Sequence, residues 1–581
     1  MNPTKTQVAS QIPAVLTSIA EHSPNAVWFR SSLTRSGDAL FIALEEQGKP
    51  LMLQHGGQPG AFGLAGATTR TVNGVTVYLY PFSSKDRANI AAFAREVDPS
   101  FLPRPQRELP AIASGNRHPE VSLPAVFDAF SDILHDTGLN LASTVQLSAT
   151  REMTTDADIA ARDGSNPTAA GHTRVSILDL YHAGLWAAIR AGYRSGYTAE
   201  ADHFIVSGAD DAAIAKSVEW VKEAIRDAAG YTKFTTDTSK VFDLRADVRH
   251  PQPLSESQIE ELYAQRLTAD EQKWVQHAFS KPFECEESSY QFDPTEIKRL
   301  SVKFAPSLKL NEDLFDAILK ARNRAAFDFE PSLDEAETLT SAKELIFYMH
   351  WLKERGRPAQ LVPPNLGFKK RQAYPESRPA LEKYTHHKMW PEVMPRVDGA
   401  FGGAPVAELK DRVRELADVA SYFNGTLSIH SGSGKQPEVL RSIGSATDGR
   451  LNYKISGELQ LQLFDVLSEC PERSAERALY DRMVAACERF AGQGAFGEES
   501  ALAAQYRASG HGAYLGNASA GRVDGNLFLV FWLGNMVGCK DEDGRFFKDH
   551  LDELPSAVIV ETQRRNEEYV KWLASHLFHA E

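Results

Sequence analysis

Two hydrophobic rhythms alternate along most of this chain. In short runs the apolar side chains recur at every second position, and in longer runs they recur every three or four. The first rhythm predicts strands and the second predicts helices. Strands are expected at residues 109–114, 141–147, 198–203, 231–236, 326–330, 360–363, 425–430 and 450–455. Helices are expected at 123–136, 175–190, 213–229, 341–355, 406–423, 458–467 and 555–577. In the second helix Ile177, Leu178, Tyr181, Leu185, Trp186 and Ile189 form one apolar stripe, with Gly192 and Gly196 closing it. Ser341 and Glu344 form a capping box, and Gly356 and Pro358 lie just past that helix. Pro331 closes the fifth strand. Eight strands with helices between them predict a (β/α)8 TIM-like barrel, the alternative being an open doubly wound sheet.

The alternation has two interruptions. Residues 243–315 are polar and helical, with a capping box at Ser255 and Gln258, and read as an insertion without a catalytic signal. It could serve as a lid, an oligomer contact or a structural addition. Before the barrel, strand-like runs at 39–44 and 75–80 and a helix at 86–97 make a small N-terminal α/β unit. Residues 98–110 then carry four prolines and read as a linker. The expected division is an N-terminal domain over 1–105 and a catalytic barrel over 106–581, with a helical extension over 470–581. Within that extension, 492–525 is rich in Gly, Ala and Ser and reads as loop.

With 581 residues, 42% of them hydrophobic, the chain can bury a large core. Its net charge of −14 and lack of a basic stripe speak against a nucleic-acid partner. Cys285, Cys470, Cys487 and Cys539 are widely spaced and read as thiols of a reducing compartment, not as a zinc ribbon or disulfides. The N-terminus has no sustained apolar run, and the greasiest stretch, 527–537, is broken by Gly534 and Asn535. It is too short to span a bilayer. These features predict a cytoplasmic protein without a membrane partner; a homo-oligomer is compatible with them.

Barrel enzymes place their chemistry at the C-terminal ends of strands. The polar residues predicted there are Asn116, Arg117, Gln146, Asp202, His203, Asp237, Glu330, Asn365, His430 and Lys454. His430 ends a strand and opens onto a loop of Ser431, Ser433, Lys435 and intervening glycines. That loop lacks the upstream Gly and following Ser/Thr of a phosphate-binding P-loop, yet its small residues suit an oxygen-rich ligand. His203 and His430 are the candidate ligands for a divalent ion, against the alternative of hydrogen-bonded core imidazoles. Adjacent on a strand, Asp202 and His203 should point opposite ways and do different jobs. Glu330, between aromatics, suits acid–base work, with a salt bridge as the alternative. Asp334, Glu335 and Glu337 read as an acidic helix-leading face, from which one residue could ligate metal. His386 and His387 lie in a charged stretch and read as surface. No GxGxxG follows a strand, which weakens a dinucleotide reading.

Several of these blocks resemble the tagaturonate/fructuronate epimerase family. They are residues 192–203 ending in Ala201-Asp202-His203, 233–239, 327–338 opening Phe327-Asp328-Phe329-Glu330, 427–433 with His430-Ser431-Gly432-Ser433, and 445–449 followed by Lys454. They fall in the family's order. The resemblance implies Asp202 as proton acceptor, Glu330 as proton donor, and His203 and His430 as metal ligands. It also implies a third ligand, without a position. Arg117, Gln146, Asp237, Ser431, Ser433, Lys435 and Lys454 are the candidate substrate contacts. The ion would be zinc, manganese, nickel, cobalt or magnesium. The activity implied is inversion of C4 in a ketohexuronate or free ketohexose by retro-aldol chemistry. A metal-dependent aldose–ketose isomerase and a non-catalytic sugar-binding protein are the alternatives. The chain departs from the family pattern at Gly434, where an acidic residue is usual, at 454–459, and at 527–532, which is apolar here. These departures point to neutral ketoses, fructose and tagatose among them, as additional or alternative substrates.

Overall fold

A computed structural model of the chain describes residues 13–368, apart from positions 24, 249 and 337, together with 405–495 and 533–578. Glu337, residues 369–370, His386, His387 and the apolar run 527–532 lie outside the described residues.

The N-terminal unit is an antiparallel sheet of five strands: β1 (Ala26–Ser36), β2 (Ala39–Glu46), β3 (Lys49–His55), β4 (Thr68–Val72) and β5 (Val75–Pro81). Their order is β1-β2-β3-β5-β4. Only β2 and β5 stand out in the sequence. β4, Thr68–Val72, is exposed except at Val72 and lacks an apolar alternation to announce it. The sheet meets the helix Ile177–Ala191 through Trp186, whose ring lies edge-on to Phe29 and Phe82, with centroids 5.9 and 5.6 Å away.

Eight parallel strands follow: β6 (Ala111–Gly115), β7 (Ala142–Ser148), β8 (Tyr197–Ile205), β9 (Lys233–Asp237), β10 (Asp328–Ser332), β11 (Leu361–Val362), β12 (Thr426–Ile429) and β13 (Leu451–Ile455). In space they run β10-β9-β8-β7-β6-β13-β12-β11, each ladder parallel. The ends of that order meet. Gln360 N–H donates to Phe329 O at 2.9 Å, and Leu333 N–H donates to Pro363 O at 3.0 Å, closing the barrel between β10 and β11. Pro331 lies between these two bonds. Lacking an N–H, it can sit inside the strand where the seam is thinnest, so it does not end the strand at Glu330 as its presence predicted.

Two helices differ from expectation. The inserted segment holds helices Glu256–Arg266 and Ala269–Ala278, but its third helix, Pro294–Ala321, buries Val302, Phe304, Leu308, Leu314 and Ile318. It is therefore the helix joining β9 to β10. A further helix, Pro437–Ala446, joins β12 to β13 and buries Val439, Leu440 and Ile443. The C-terminal helix Ser556–Leu577 lies directly on it: a Cβ at Gly444 would stand 1.9 Å from Leu577 O, so only glycine permits the contact. Among the described residues no helix is long and apolar enough to cross a membrane.

Candidate active site

The C-terminal ends of the barrel strands surround a cavity of about 310 Å³ lined by Arg117, Gln146, Ser148, Thr150, Arg151, Glu152, Thr168, Ala170, His172, Asp202, His203, Asp334, Glu335, His430, Ser431, Lys454, Ser456 and Asn535. That is the lower end of the ~300–1,000 Å³ usual for small-molecule sites.

Asp202 and His203 both reach this cavity, contrary to the alternation expected of a strand. The reason is a bulge in β8. Ala201 pairs with Phe234 and Phe204 with Thr236, so two residues of β8 stand opposite one of β9. His203 takes a left-handed backbone with φ +49°. A bulge re-aims a side chain in just this way. Thr150 Oγ1 secures it, donating to His203 O at 3.0 Å and accepting from Ile205 N–H at 3.0 Å. On β12, His430 is the first residue past the strand, and Ser431 turns the chain away with φ +56°.

The two imidazoles converge. His203 Nε2 and His430 Nδ1 are 3.1 Å apart. Asp334 places Oδ2 at 3.1 Å from His430 Nδ1 and Oδ1 at 3.9 Å from His203 Nε2. Asp202 Oδ1 is 3.8 Å from His203 Nε2. Behind each ring stands a carboxylate: Glu330 Oε1 at 2.7 Å from His430 Nε2, and Asp237 Oδ2 at 3.5 Å from His203 Nδ1. Ligand atoms of Asp202, His203 and His430 lie within 4.8 Å of one another. Two histidines with Asp202 and Asp334 at hand, each ring backed by a further carboxylate, offer a donor set that could hold a divalent ion. The charge balance agrees. Glu200, Asp202, Asp237, Glu330 and Asp334 outnumber Lys233 and Lys454 in this largely buried cluster. Burial opposes charge on His203, yet Asp202 and Asp334 outweigh it and raise its pKa to about 10.

Lys454 Nζ lies 2.7 Å from Asp202 Oδ1, 2.6 Å from Glu330 Oε1 and 2.5 Å from Glu200 Oε1. Lys233 Nζ is 2.8 Å from Glu330 Oε2. Burial would favour the protonated acids, but His203 and Lys454 hold Asp202 below the usual carboxylate range. Lys233 and Lys454 hold Glu330 well below it.

Of the residues singled out in the sequence, Arg117, Gln146, Asp202, His203, His430, Ser431 and Lys454 share the cavity. Glu330 and Asp237 lie beneath it, fully buried behind the two histidines. Ser433 and Lys435 are set apart from it. Ser433 Oγ accepts from Ser456 N–H at 2.9 Å, and Lys435 Nζ donates to Ser433 O and sits 5.0 Å from the centre of the Phe368 ring. Asn365 is also off the cavity wall, capping its own turn through Gly367 N–H at 2.8 Å. Glu200 and Lys233 were missed, although a charged residue inside a strand buried at every position is a signal. Glu152, His172 and Asn535 were missed because they lie in connections without periodicity. Glu152 pairs with Arg117, whose Nε donates at 2.7 Å.

Comparisons with known proteins agree with one another. A family model described as tagaturonate epimerase matches residues 170–370. A tagaturonate/fructuronate epimerase of Thermotoga maritima is 24% identical over 444 residues, 76% of each chain. Crystal structures of the fructuronate-tagaturonate epimerase UxaE of Cohnella laeviribosi share the fold. The native form superposes with a TM-score of 0.67 and a glycerol complex with 0.68, both at 17% identity, covering 99% and 97% of this chain and 99% of theirs. Over residues 170–370 in sequence, and in overall fold, the chain is similar to tagaturonate/fructuronate epimerases.

Proposed function

We propose that this chain is a metal-dependent epimerase that inverts C4 of a ketohexuronate, interconverting tagaturonate and fructuronate as its relatives' names state. The observation that supports it most is the convergence of His203, His430, Asp334 and Asp202 at the barrel mouth, with Lys454 beside them. In this reading His203, His430 and Asp334 hold the divalent ion, zinc, manganese, nickel, cobalt or magnesium. Bound there, it would supply Lewis-acid polarisation of a sugar oxygen.

The position of the stereocentre dictates the rest. With the ketone at C2, the C4 hydrogen is not alpha to the carbonyl, but the C4 hydroxyl is beta to it. Asp202, kept ionised by Lys454 at 2.7 Å, accepts the proton of that hydroxyl. The C4 oxygen becomes an aldehyde oxygen, the C3–C4 bond breaks, and its electron pair passes to the C2 carbonyl to leave an enediolate. The aldehyde turns over, C3 adds to its opposite face, and the C4 oxygen takes back the proton that Asp202 had accepted, restoring the carboxylate. Glu330 holds the His430 ring and both lysines instead of meeting the sugar, because each of its oxygens faces a cation at 2.6–2.8 Å and none is exposed. No nicotinamide is required, in keeping with the missing GxGxxG.

The cavity's cations favour neutral ketoses as additional substrates. Arg117 is paired with Glu152, Arg151 with Glu335, and Lys454 with three carboxylates. None of these pairs leaves a cation uncommitted to meet a sugar carboxylate. Substrate deuterated at C4 tests the route: retro-aldol chemistry keeps the label on C4, and its migration to another carbon or loss to solvent would exclude it.

A further inference from the structure

Between cleavage and re-addition in a retro-aldol route, no covalent bond holds the C4 aldehyde to the enediolate. The aldehyde must turn over without leaving. One feature of the cavity is placed to keep it there. Arg151, in the turn after β7, and Glu335, in the turn after β10, both line the cavity. Nη1 and Nη2 of Arg151 donate to Oε1 and Oε2 of Glu335 at 2.7 and 2.5 Å. In the barrel order β8 and β9 stand between β7 and β10, so the pair bridges across the ends of two strands. Those ends carry His203 and Asp237, and ligand atoms of His203, Asp237 and Glu335 lie within 4.8 Å of one another. The bridge therefore crosses the cavity beside the two converging imidazoles.

Both ends of the bridge are anchored through backbone. Arg151 O accepts from Gly171 N–H at 2.8 Å, while its neighbours Thr150 and Glu152 are tied to the β8 bulge and to Arg117. On the other side Leu333 N–H donates to Pro363 O at 3.0 Å, and Asn365 Nδ2 donates to Ala336 O at 2.5 Å. With the loops held, the two side chains are the part that can open. The Arg151 side chain is 47% exposed. Ion pairs this open to water are weak, and exposed side chains change rotamer within picoseconds to nanoseconds. Such a pair opens often enough to pass a sugar and stays closed for most of the time between.

We propose that the Arg151–Glu335 ion pair is a strap that retains the cleaved aldehyde, and that loosening it gives the protein a second activity, aldol cleavage. This rests on the epimerase reading above and its retro-aldol route. When the aldehyde escapes, C3 of the enediolate left behind takes the proton that Asp202 had accepted. The carboxylate is restored and C1–C3 become dihydroxyacetone. C4–C6 leave as a three-carbon hydroxyaldehyde, which carries the carboxylate when the substrate is a uronate. No other reactant is consumed, since one six-carbon sugar gives two three-carbon products.

The test compares the metal-loaded full chain as wild type, as Arg151→Met, which removes the guanidinium fork, and as Arg151→Lys, which keeps the charge. With tagaturonate as substrate, NMR reads the ratio of dihydroxyacetone to fructuronate formed, at equal metal content by elemental analysis. The ratio should rise about fivefold in the Met variant, the increase in the open fraction when ~1 kcal/mol of closure is lost. The Lys variant should rise less. A merely structural role would slow both products together and leave the ratio unchanged, and that result overturns the strap. The two readings fail separately. If wild type forms fructuronate and the Met variant leaves the ratio unchanged, the strap falls and the epimerase reading stands. If wild type forms neither product, the epimerase reading itself falls, and the strap with it.

Discussion

Replacing Glu330 by Gln separates two roles that the sequence alone cannot distinguish. The carboxylate takes His430 Nε2 at 2.7 Å and Lys454 Nζ at 2.6 Å on one oxygen, and Lys233 Nζ at 2.8 Å on the other. The amide keeps the shape and removes the charge. It leaves two buried ammonium groups sharing fewer carboxylates, a loss of the kind that costs about 3–5 kcal/mol when one partner of a buried pair is removed. It also withdraws the carboxylate that orients the His430 ring, which typically weakens metal affinity by ~10–100-fold. Guanidinium unfolding and titration of the chelated protein with a divalent ion measure these two effects. Turnover measured at saturating metal should recover most of its loss. If Glu330 instead donates the proton to C4, kcat should fall ~10²–10⁴-fold while metal affinity holds. Collapse of kcat with unchanged stability and metal affinity would refute the positioning role argued here.

Asp202→Asn should lower kcat by ~10²–10⁴-fold while the protein still binds metal, seen by NMR turnover and elemental analysis; near-normal turnover would remove Asp202 from the reaction. His430→Ala should lose bound metal by elemental analysis while the barrel's circular dichroism persists. The pH dependence of stability should carry a signature of His118. Burial, followed by Lys548, lowers its pKa to about 4 from an ordinary ~6.5. Between those values the unfolded chain binds the proton and the folded chain does not, so stability is lost as pH falls from about 6.5 toward 4. His118→Gln should flatten that part of the unfolding-versus-pH curve, and an unchanged slope would show that His118 is not its source.

The barrel was legible because its strands are short, bounded by turn residues and separated by helix-period runs. Periodicity placed all eight within about two residues of their observed ends. The helix Pro437–Ala446 was not legible because Pro437 follows a Ser/Gly loop that masks its start, and its apolar face covers only a few positions. At the site, His203 and His430 could be named but not their geometry. A bulge is a departure from the period on which strand reading depends, so the shared direction of Asp202 and His203 was invisible until β8 was paired with β9. The sequence placed Glu330 at a strand end but not its neighbours: Lys233 and Lys454, which face its two oxygens and carry the positioning role proposed for it, come from other strands. His172 and Asn535 are separated by most of the barrel sequence and line one cavity only once the C-terminal segment packs at Gly538 against the His172 backbone.

The most direct test of the central claim is an NMR time course of tagaturonate with the chelator-treated protein, before and after one divalent ion at a time is restored. The account predicts no change before addition. After addition of a suitable ion, fructuronate should appear, with C4 the only centre inverted. Conversion by the metal-free protein, or the absence of conversion with every one of zinc, manganese, nickel, cobalt and magnesium in a protein shown to bind them, would contradict it.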